Sequence, residues 1–217
     1  MSESSIVEIT GVSLKSTHEI HLCVEQADRV LISGGEGSGK TTLLKIMNGL
    51  VEPEKGKVML FNNDIRSLSQ SGLLKLRQNI SYLGFPQGLL ENWTVYQNLS
   101  LPLKYHWNMD DHGCDRRIEE IEQYLGPIRE LLGYPVFWMD SETQRLLTVF
   151  RGLVIRPRLL LLDPDEMKLS KPGQLDGILQ YVTRTQTTTV ITDSIYLKSC
   201  AMETFRTFNL TPGGEMP

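Results

Sequence analysis

One eight-residue stretch restricts this chain more than any other. Gly34 to Thr41 reads "GGEGSGKT", which spells G-x-x-x-x-G-K-T. "RVLIS", Arg29 to Ser33, precedes it as a short buried strand. From Thr42 onward, apolar residues at Leu43, Leu44, Ile46, Met47 and Leu50 follow a helical period. A glycine-rich turn between a strand and a helix, closed by Lys and Thr, is a P-loop in the context that identifies one. The glycines let backbone N–H groups curl around phosphate oxygens where a Cβ would obstruct them. The helix start adds unpaired N–H groups and a positive dipole end. The residues expected around a phosphate chain are therefore Gly34, Gly35, Glu36, Gly37, Ser38, Gly39, Lys40, Thr41 and Thr42. Lys40 is expected on the β- and γ-phosphates and the Thr41 hydroxyl on Mg²⁺. An ordinary glycine-rich turn would not require Lys and Thr both in register.

A second stretch, "LLLLDPDE" from Leu159 to Glu166, complements the first. Four leucines ending in an acid read as a strand of a parallel sheet buried on both faces, delivering Asp163 to its rim. A P-loop needs such an aspartate to hold the Mg²⁺ water shell, so Asp163 joins Thr41 as an expected metal ligand, the alternative being a helix-cap or turn aspartate. Nothing resembling a guanine-reading N-K-x-D follows, which makes ATP with Mg²⁺ the expected ligand.

Composition sets the outer bounds. At 217 residues the chain suffices for one domain with a sub-lobe. Its 22 basic residues nearly balance its 26 acidic ones, so charge gives no argument for nucleic acid. Cys23, Cys114 and Cys200 are scattered without a C-x-x-C pair, as in a reduced compartment. "MSESSIVEIT" lacks the basic start and apolar core of a signal peptide, and no apolar run approaches the ~18 residues of a spanning helix. The expectation is a cytoplasmic protein that meets a membrane only through a partner. No internal repeat, low-complexity tract or linker is visible.

The remaining landmarks carry a resemblance. After the P-loop helix, "GLVEPEKGKVMLFNNDIRSLSQ" reads as a Pro/Gly break, a strand, a turn and a second strand. "LRQNISYLGFPQGLLENWTVYQNLSLPL", "RGLVIRPRLLLLD" and "TTTVITDS" follow. From about Ile6 to Leu210 the order resembles the ABC-type ATP-binding subunits of membrane transporters. The resemblance implies an α/β fold: a P-loop core with a mostly parallel sheet, an antiparallel β part and an inserted helical sub-lobe from about Trp93 to Phe150, all one domain over 1–217. It also implies membrane permease subunits as partners, and a place on the inner face of the cell membrane. The "LSLPLKYH" wording leans toward subunits of lipid or lipoprotein systems, including the MCE type.

Carried across residue by residue, the resemblance gives an uneven result. The family's catalytic glutamate falls on Pro164 and its switch histidine on Asp193. The signature L-S-G-G-Q falls on "MDSET", Met139 to Thr143, and the D-loop aspartate on Ser170. The Q-loop glutamine falls on Phe85. Gln87 serves instead if the loop slides, and is taken as a third metal ligand beside Thr41 and Asp163. The adenine-stacking aromatic falls near Ser16, with His18 close by.

Pro164 has no titratable atom, and losing a general base costs about 10²–10⁴ in rate. Asp193 would bring a like charge toward the γ-phosphate. Ser141 and Gln144 form an S-x-x-Q capping box, and Asp140 and Glu142 add anions to the helix start that should receive a phosphate. No residue is therefore assigned a catalytic role. Asp165 or Glu166 could replace the missing base if the loop after Asp163 is repacked.

The expected protein binds Mg²⁺–ATP, hydrolyses it poorly or not at all, and pairs with a second, intact ATP-binding subunit. The rivals are a working transport ATPase with substituted groups and a soluble regulatory protein of ABC descent. Two further segments have bland readings. "HWNMDDHGCD" matches no zinc spacing and reads as a polar loop. "RRIEEIEQYLGPIRELL" reads as two sub-lobe helices broken at Gly126–Pro127, with docking to a partner the alternative. Trp93, Tyr96 and Trp107 fall where the family meets its membrane subunit, with core packing the even alternative.

Overall fold

The structure, a computed structural model, describes residues 5–14, 19–84, 88–168, 172–194, 197 and 204–210. The chain opens with β1 (Ser5–Val12) and β2 (Ile20–Glu25), antiparallel neighbours. In β2, Ile20, Leu22 and Val24 are buried while His21, Cys23 and Glu25 face outward, the alternation of a sheet covered on one side. After β3 (Arg29–Ser33) and α1 (Lys40–Met47), β4 (Lys57–Leu60) and β5 (Asn63–Asp64) complete a four-stranded sheet in the order β2-β1-β4-β5. Leu50 lies beyond α1 and is exposed, so the expected helical stripe ends at Met47.

A second sheet carries the P-loop. Helix α2 (Gln70–Arg77) leads into β6 (Ile80–Leu83), and β7 (Leu159–Leu162), β8 (Thr188–Thr192) and β9 (Arg206–Asn209) come from the later chain. All pairings in the order β6-β7-β8-β3-β9 are parallel. The leucine run explains itself here. Leu159 and Leu161 join the core shared with α1 and the antiparallel sheet, while Leu160 and Leu162 join the core shared with the helical lobe. A strand of period two with cores on both faces has no polar side.

Between β6 and β7 lie α3 (Val95–Trp107), α4 (Asp111–Leu125) and α5 (Ser141–Val154). Thr94 and Gln97 form a capping box at the start of α3. The buried Asn98 amide accepts from Leu90 N and donates to the carbonyls of Leu90 and Thr94, fixing the loop before the helix. Buried Arg117 of α4 donates twice to the Val154 carbonyl, at 3.0 and 2.7 Å, and caps the end of α5.

Three expectations are corrected in this lobe. "HWNMDDHGCD" is not a loop: α3 ends at left-handed Asn108, and Asp110 caps α4 by accepting from Gly113 N at 2.8 Å. Asp110 is spent on the cap and Asp111 on pairing with Lys104 at 2.6 Å, and among the described residues no group of three or more ligand side chains could hold a metal. No second helix follows Gly126–Pro127. Only a 3₁₀ turn, Arg129–Leu131, forms there, because the carbonyls of Leu132 and Tyr134 satisfy the N–H groups of Tyr96 and Val95 instead. Finally, the capping box on Ser141 and Gln144 is absent. Asp140 is the N-cap, accepting from Thr143 N at 2.7 Å, and the Gln144 amide turns back to the Met139 carbonyl at 3.0 Å.

Short α6 (Pro164–Met167) and longer α7 (Pro172–Thr185) complete the fold. α7 presses Gly177 against α4, where an added Cβ would stand 2.2 Å from the Tyr124 carbonyl oxygen. Gly177→Ala gains up to ~1 kcal/mol of helix propensity but forces two backbones apart. It should lower stability by about 1–3 kcal/mol net. A urea or thermal unfolding midpoint equal to or above the parent's would refute this.

Candidate nucleotide site

The P-loop leaves β3 at Ser33 and enters α1 at Lys40. Gly39, at φ 95°, is the N-cap of that helix in a conformation that suits glycine. Gly34 is required by crowding: a Cβ there would stand 2.6 Å from Ser38 Oγ and 2.7 Å from the Leu210 carbonyl oxygen. Gly35 and Gly37 face open space, and Glu36 is exposed between them. Thr42 is exposed on the first turn of α1. Ser38 Oγ is buried with no hydrogen-bond partner among the described residues, an orphan that a phosphate oxygen would satisfy.

Thr41 and Asp163 meet across the sheet. The Thr41 hydroxyl donates to Asp163 Oδ2 at 2.6 Å, although 121 residues separate the two in sequence. Asp163 is 2% exposed, and its own N–H continues the ladder to the Leu83 carbonyl at 2.8 Å. Two hard oxygen ligands converging at the foot of the loop fit Mg²⁺, which binds few protein oxygens and keeps several waters. Behind them, burial and then the charges of Asp163 and Glu166 push the Tyr82 phenol up to about 12, so its hydroxyl stays neutral.

Pro164 now has a structural account. Asp163 is the N-cap of α6, accepting from Glu166 N at 3.4 Å, and Pro164 is its first residue. Proline suits that position because its φ is preset and its missing N–H would be unpaired anyway. This short turn brings Asp165 and Glu166 to the rim of a cavity of about 790 Å³, which Glu36, Gly37, Lys40, Thr41, Asp163, Lys168, Asp193 and Ser194 also line. Asp165 is engaged by the Ser194 hydroxyl across the cavity. Five carboxylates and two lysines line this space, an excess of negative charge where a phosphate chain should enter.

Sequence reasoning placed Asp193 near the phosphates but missed its partners. Its Oδ1 lies 3.2 Å from Lys40 Nζ, and its Oδ2 accepts from Ser33 Oγ at 2.8 Å and from Gly34 N at 3.2 Å. Lys40 Nζ also donates to the Gly34 and Gly35 carbonyls, at 2.5 and 3.2 Å. The signal lay in strand register. β3 and β8 pair Ile32 with Thr192, so the next residues along, Ser33 and Asp193, fall side by side.

Asp140 caps α5 and Glu142 lies in its first turn, so anions do occupy that helix start. Gln87, Phe85, Ser16, His18 and Ser170 lie outside the described residues.

A strand, an amide-lined loop, a lysine and a Thr–Asp pair on a parallel sheet define a P-loop nucleotide-binding protein. The family described as ABC transporter matches residues 17–165. The chain belongs to that family and carries its ATP-binding domain. It is similar to the methionine import ATP-binding protein MetN of Rhizobium meliloti (strain 1021), 33% identical over 172 residues, covering 76% of this chain and 45% of the relative. It is also similar to the molybdate/tungstate import ATP-binding protein WtpC of Pyrococcus abyssi (strain GE5 / Orsay), 33% identical over 145 residues, covering 67% of this chain and 40% of the relative. The chain thus spans less than half the length of these two relatives.

Among solved structures, a bacterial ABC transporter cassette in dimeric form superposes with TM-score 0.75 at 20% identity, over 86% of this chain and 87% of that one. A post-hydrolysis form of that cassette with ADP and Pi gives TM-score 0.73 at 21% identity, over 86% of each chain. At these identities they establish the fold.

Proposed function

We propose that this chain is the ATP-binding subunit of an ABC import system, and that it binds Mg²⁺–ATP while hydrolysing it slowly or not at all. Gly34 to Thr42 would hold the phosphates, with Thr41, Asp163 and Gln87 around the Mg²⁺. The observation that carries the reading is the contrast at the end of β7. The Thr41–Asp163 pair is intact at 2.6 Å, while the adjoining position holds Pro164, locked as the first residue of α6. Import is favoured by the names of the relatives, which import methionine and molybdate or tungstate. The lean toward lipid rests on the wording of Leu99 to His106 alone. A second reading, an active ATPase, has Asp165 and Glu166 in its favour, since both line the cavity.

Among the described residues no helix is long and apolar enough to cross a membrane. The membrane contact we propose is a permease subunit docked on the helical lobe. Trp93 and Trp107 are exposed there, whereas Tyr96 packs against the core and donates to Asp111 at 2.8 Å. Tyr105 and Leu101 add open apolar surface beside a groove of about 550 Å³ that reaches Arg77 and Arg151.

Binding tests the reading. Titration calorimetry should detect Mg²⁺–ATP binding that Lys40→Ala abolishes, by removing the cation aimed at the phosphates. Chelating the metal should weaken binding by tenfold or more, because free ATP would then meet the carboxylates of the cavity unscreened. Equal, undetectable affinity in parent and variant would show the loop to be vestigial.

A further inference from the structure

The P-loop lysine is already occupied. Lys40 Nζ sits between the Gly34 carbonyl oxygen at 2.5 Å and Asp193 Oδ1 at 3.2 Å. The carboxylate is not a passing rotamer of an exposed loop. Ser33 Oγ and Gly34 N both donate to its second oxygen, and its own N–H continues the sheet to the Ile32 carbonyl at 2.8 Å. A hydroxyl, a backbone N–H of the loop and the lysine are the donors a phosphoryl group would otherwise take. Asp193 therefore stands as a tethered, singly charged substitute for a terminal phosphate.

We infer that Asp193 makes the isolated chain prefer a nucleoside diphosphate over a triphosphate, as a built-in competitor for the γ-phosphate seat on Lys40. The inference rests on the nucleotide-site reading above and says which phosphate chain that site favours. A diphosphate ends at the β-phosphate, which the amides of the loop can hold while Lys40 keeps its carboxylate. A triphosphate adds a doubly charged group that must either displace Asp193 from Lys40 or lie against it. Asp163, Asp165 and Glu166 line the same cavity, so displaced charge has no cationic refuge there beyond Lys168. The Lys40 and Asp193 side chains are 17% and 35% exposed, so water screens the pair and displacement remains accessible. Mg²⁺–ATP thus still binds, less tightly.

The experiment compares Mg²⁺–ADP with the Mg²⁺ complex of a non-hydrolysable imido analogue of ATP, by calorimetry, on the parent and on Asp193→Asn. The asparagine keeps the shape and one acceptor for Ser33 and Gly34 but carries no charge. The parent should bind the diphosphate at least tenfold more tightly. Asp193→Asn should shift the ratio at least tenfold toward the triphosphate, mainly by tightening the latter. If Asp193→Asn fails to fold, Ser33→Ala loosens the same carboxylate without changing charge and should move the ratio in the same direction. A ratio that is the same in parent and variant overturns the inference while leaving the nucleotide site standing. Failure of both proteins to bind either nucleotide removes the site itself, and the inference with it.

Discussion

Purified protein should release phosphate from Mg²⁺–ATP no faster than its Lys40→Ala variant, a deficit of about 10²–10⁴ relative to a chain with a working general base. The expectation follows from three positions that the fold holds in place. Pro164 offers no proton acceptor, and as the first residue of α6 it is fixed by the Asp163 cap behind it. Asp193 is bound to Lys40, Ser33 and Gly34, so on the proposed correspondence to the family's switch histidine it presents an acceptor in place of a donor. Asp165 is held by Ser194, while Glu166 also lines the cavity wall. Pro164→Glu alone should recover little, because Asp193 and the α5 start remain unchanged. Substantial parental turnover lost on Asp165→Ala or Glu166→Ala would establish a relocated base and reverse the conclusion.

The parts of this site that were legible in sequence are those where one local pattern has one structural solution. "GGEGSGKT" between a strand and a helix can close around phosphate in few ways, with Gly34 required by crowding and Gly37 and Gly39 by positive φ. Leu159 to Leu162, four leucines ending in an acid, read as a strand and became one with cores on both faces. What escaped was set by distant partners. Gln144 and Ser141 satisfy a capping rule on paper, yet Asp140 sits one residue earlier with a better-placed carboxylate. The stretch after Pro127 has helical composition, but its carbonyls are claimed by the first turn of α3, nearly forty residues upstream. The Lys40–Asp193 pair needs the β3–β8 register, which no window of sequence contains. Asp193 was legible as a wrong charge and illegible as a partner.

The second large effect concerns assembly. In the family this chain resembles, two ATP-binding domains meet head to tail, each ATP lying between one P-loop and the other chain's signature helix. On the proposed correspondence that helix is α5, whose first turn carries Glu142 beside the Asp140 cap. A unit charge brought to ~4 Å of a like charge costs about 4 kcal/mol at an effective dielectric near 20. Two such contacts per homodimer would oppose closure more than a thousandfold, before any screening by Mg²⁺ and water. The protein alone should therefore stay monomeric in sedimentation runs when Mg²⁺–ATP is added. We propose that with an intact partner the defects divide as follows. The site on this P-loop gains a glycine-rich signature but no base, and can hold nucleotide as a fixed part of the interface. The site on the partner's P-loop keeps its base but faces Asp140 and Glu142, so any cycling belongs there and is slow. The transporter purified from its source should accordingly contain a second kind of ATP-binding subunit. An ATPase-active complex with two copies of this chain and no other such subunit would defeat the asymmetric arrangement. ATP-driven self-association of the isolated chain would show that the carboxylates at the start of α5 do not face the nucleotide at all.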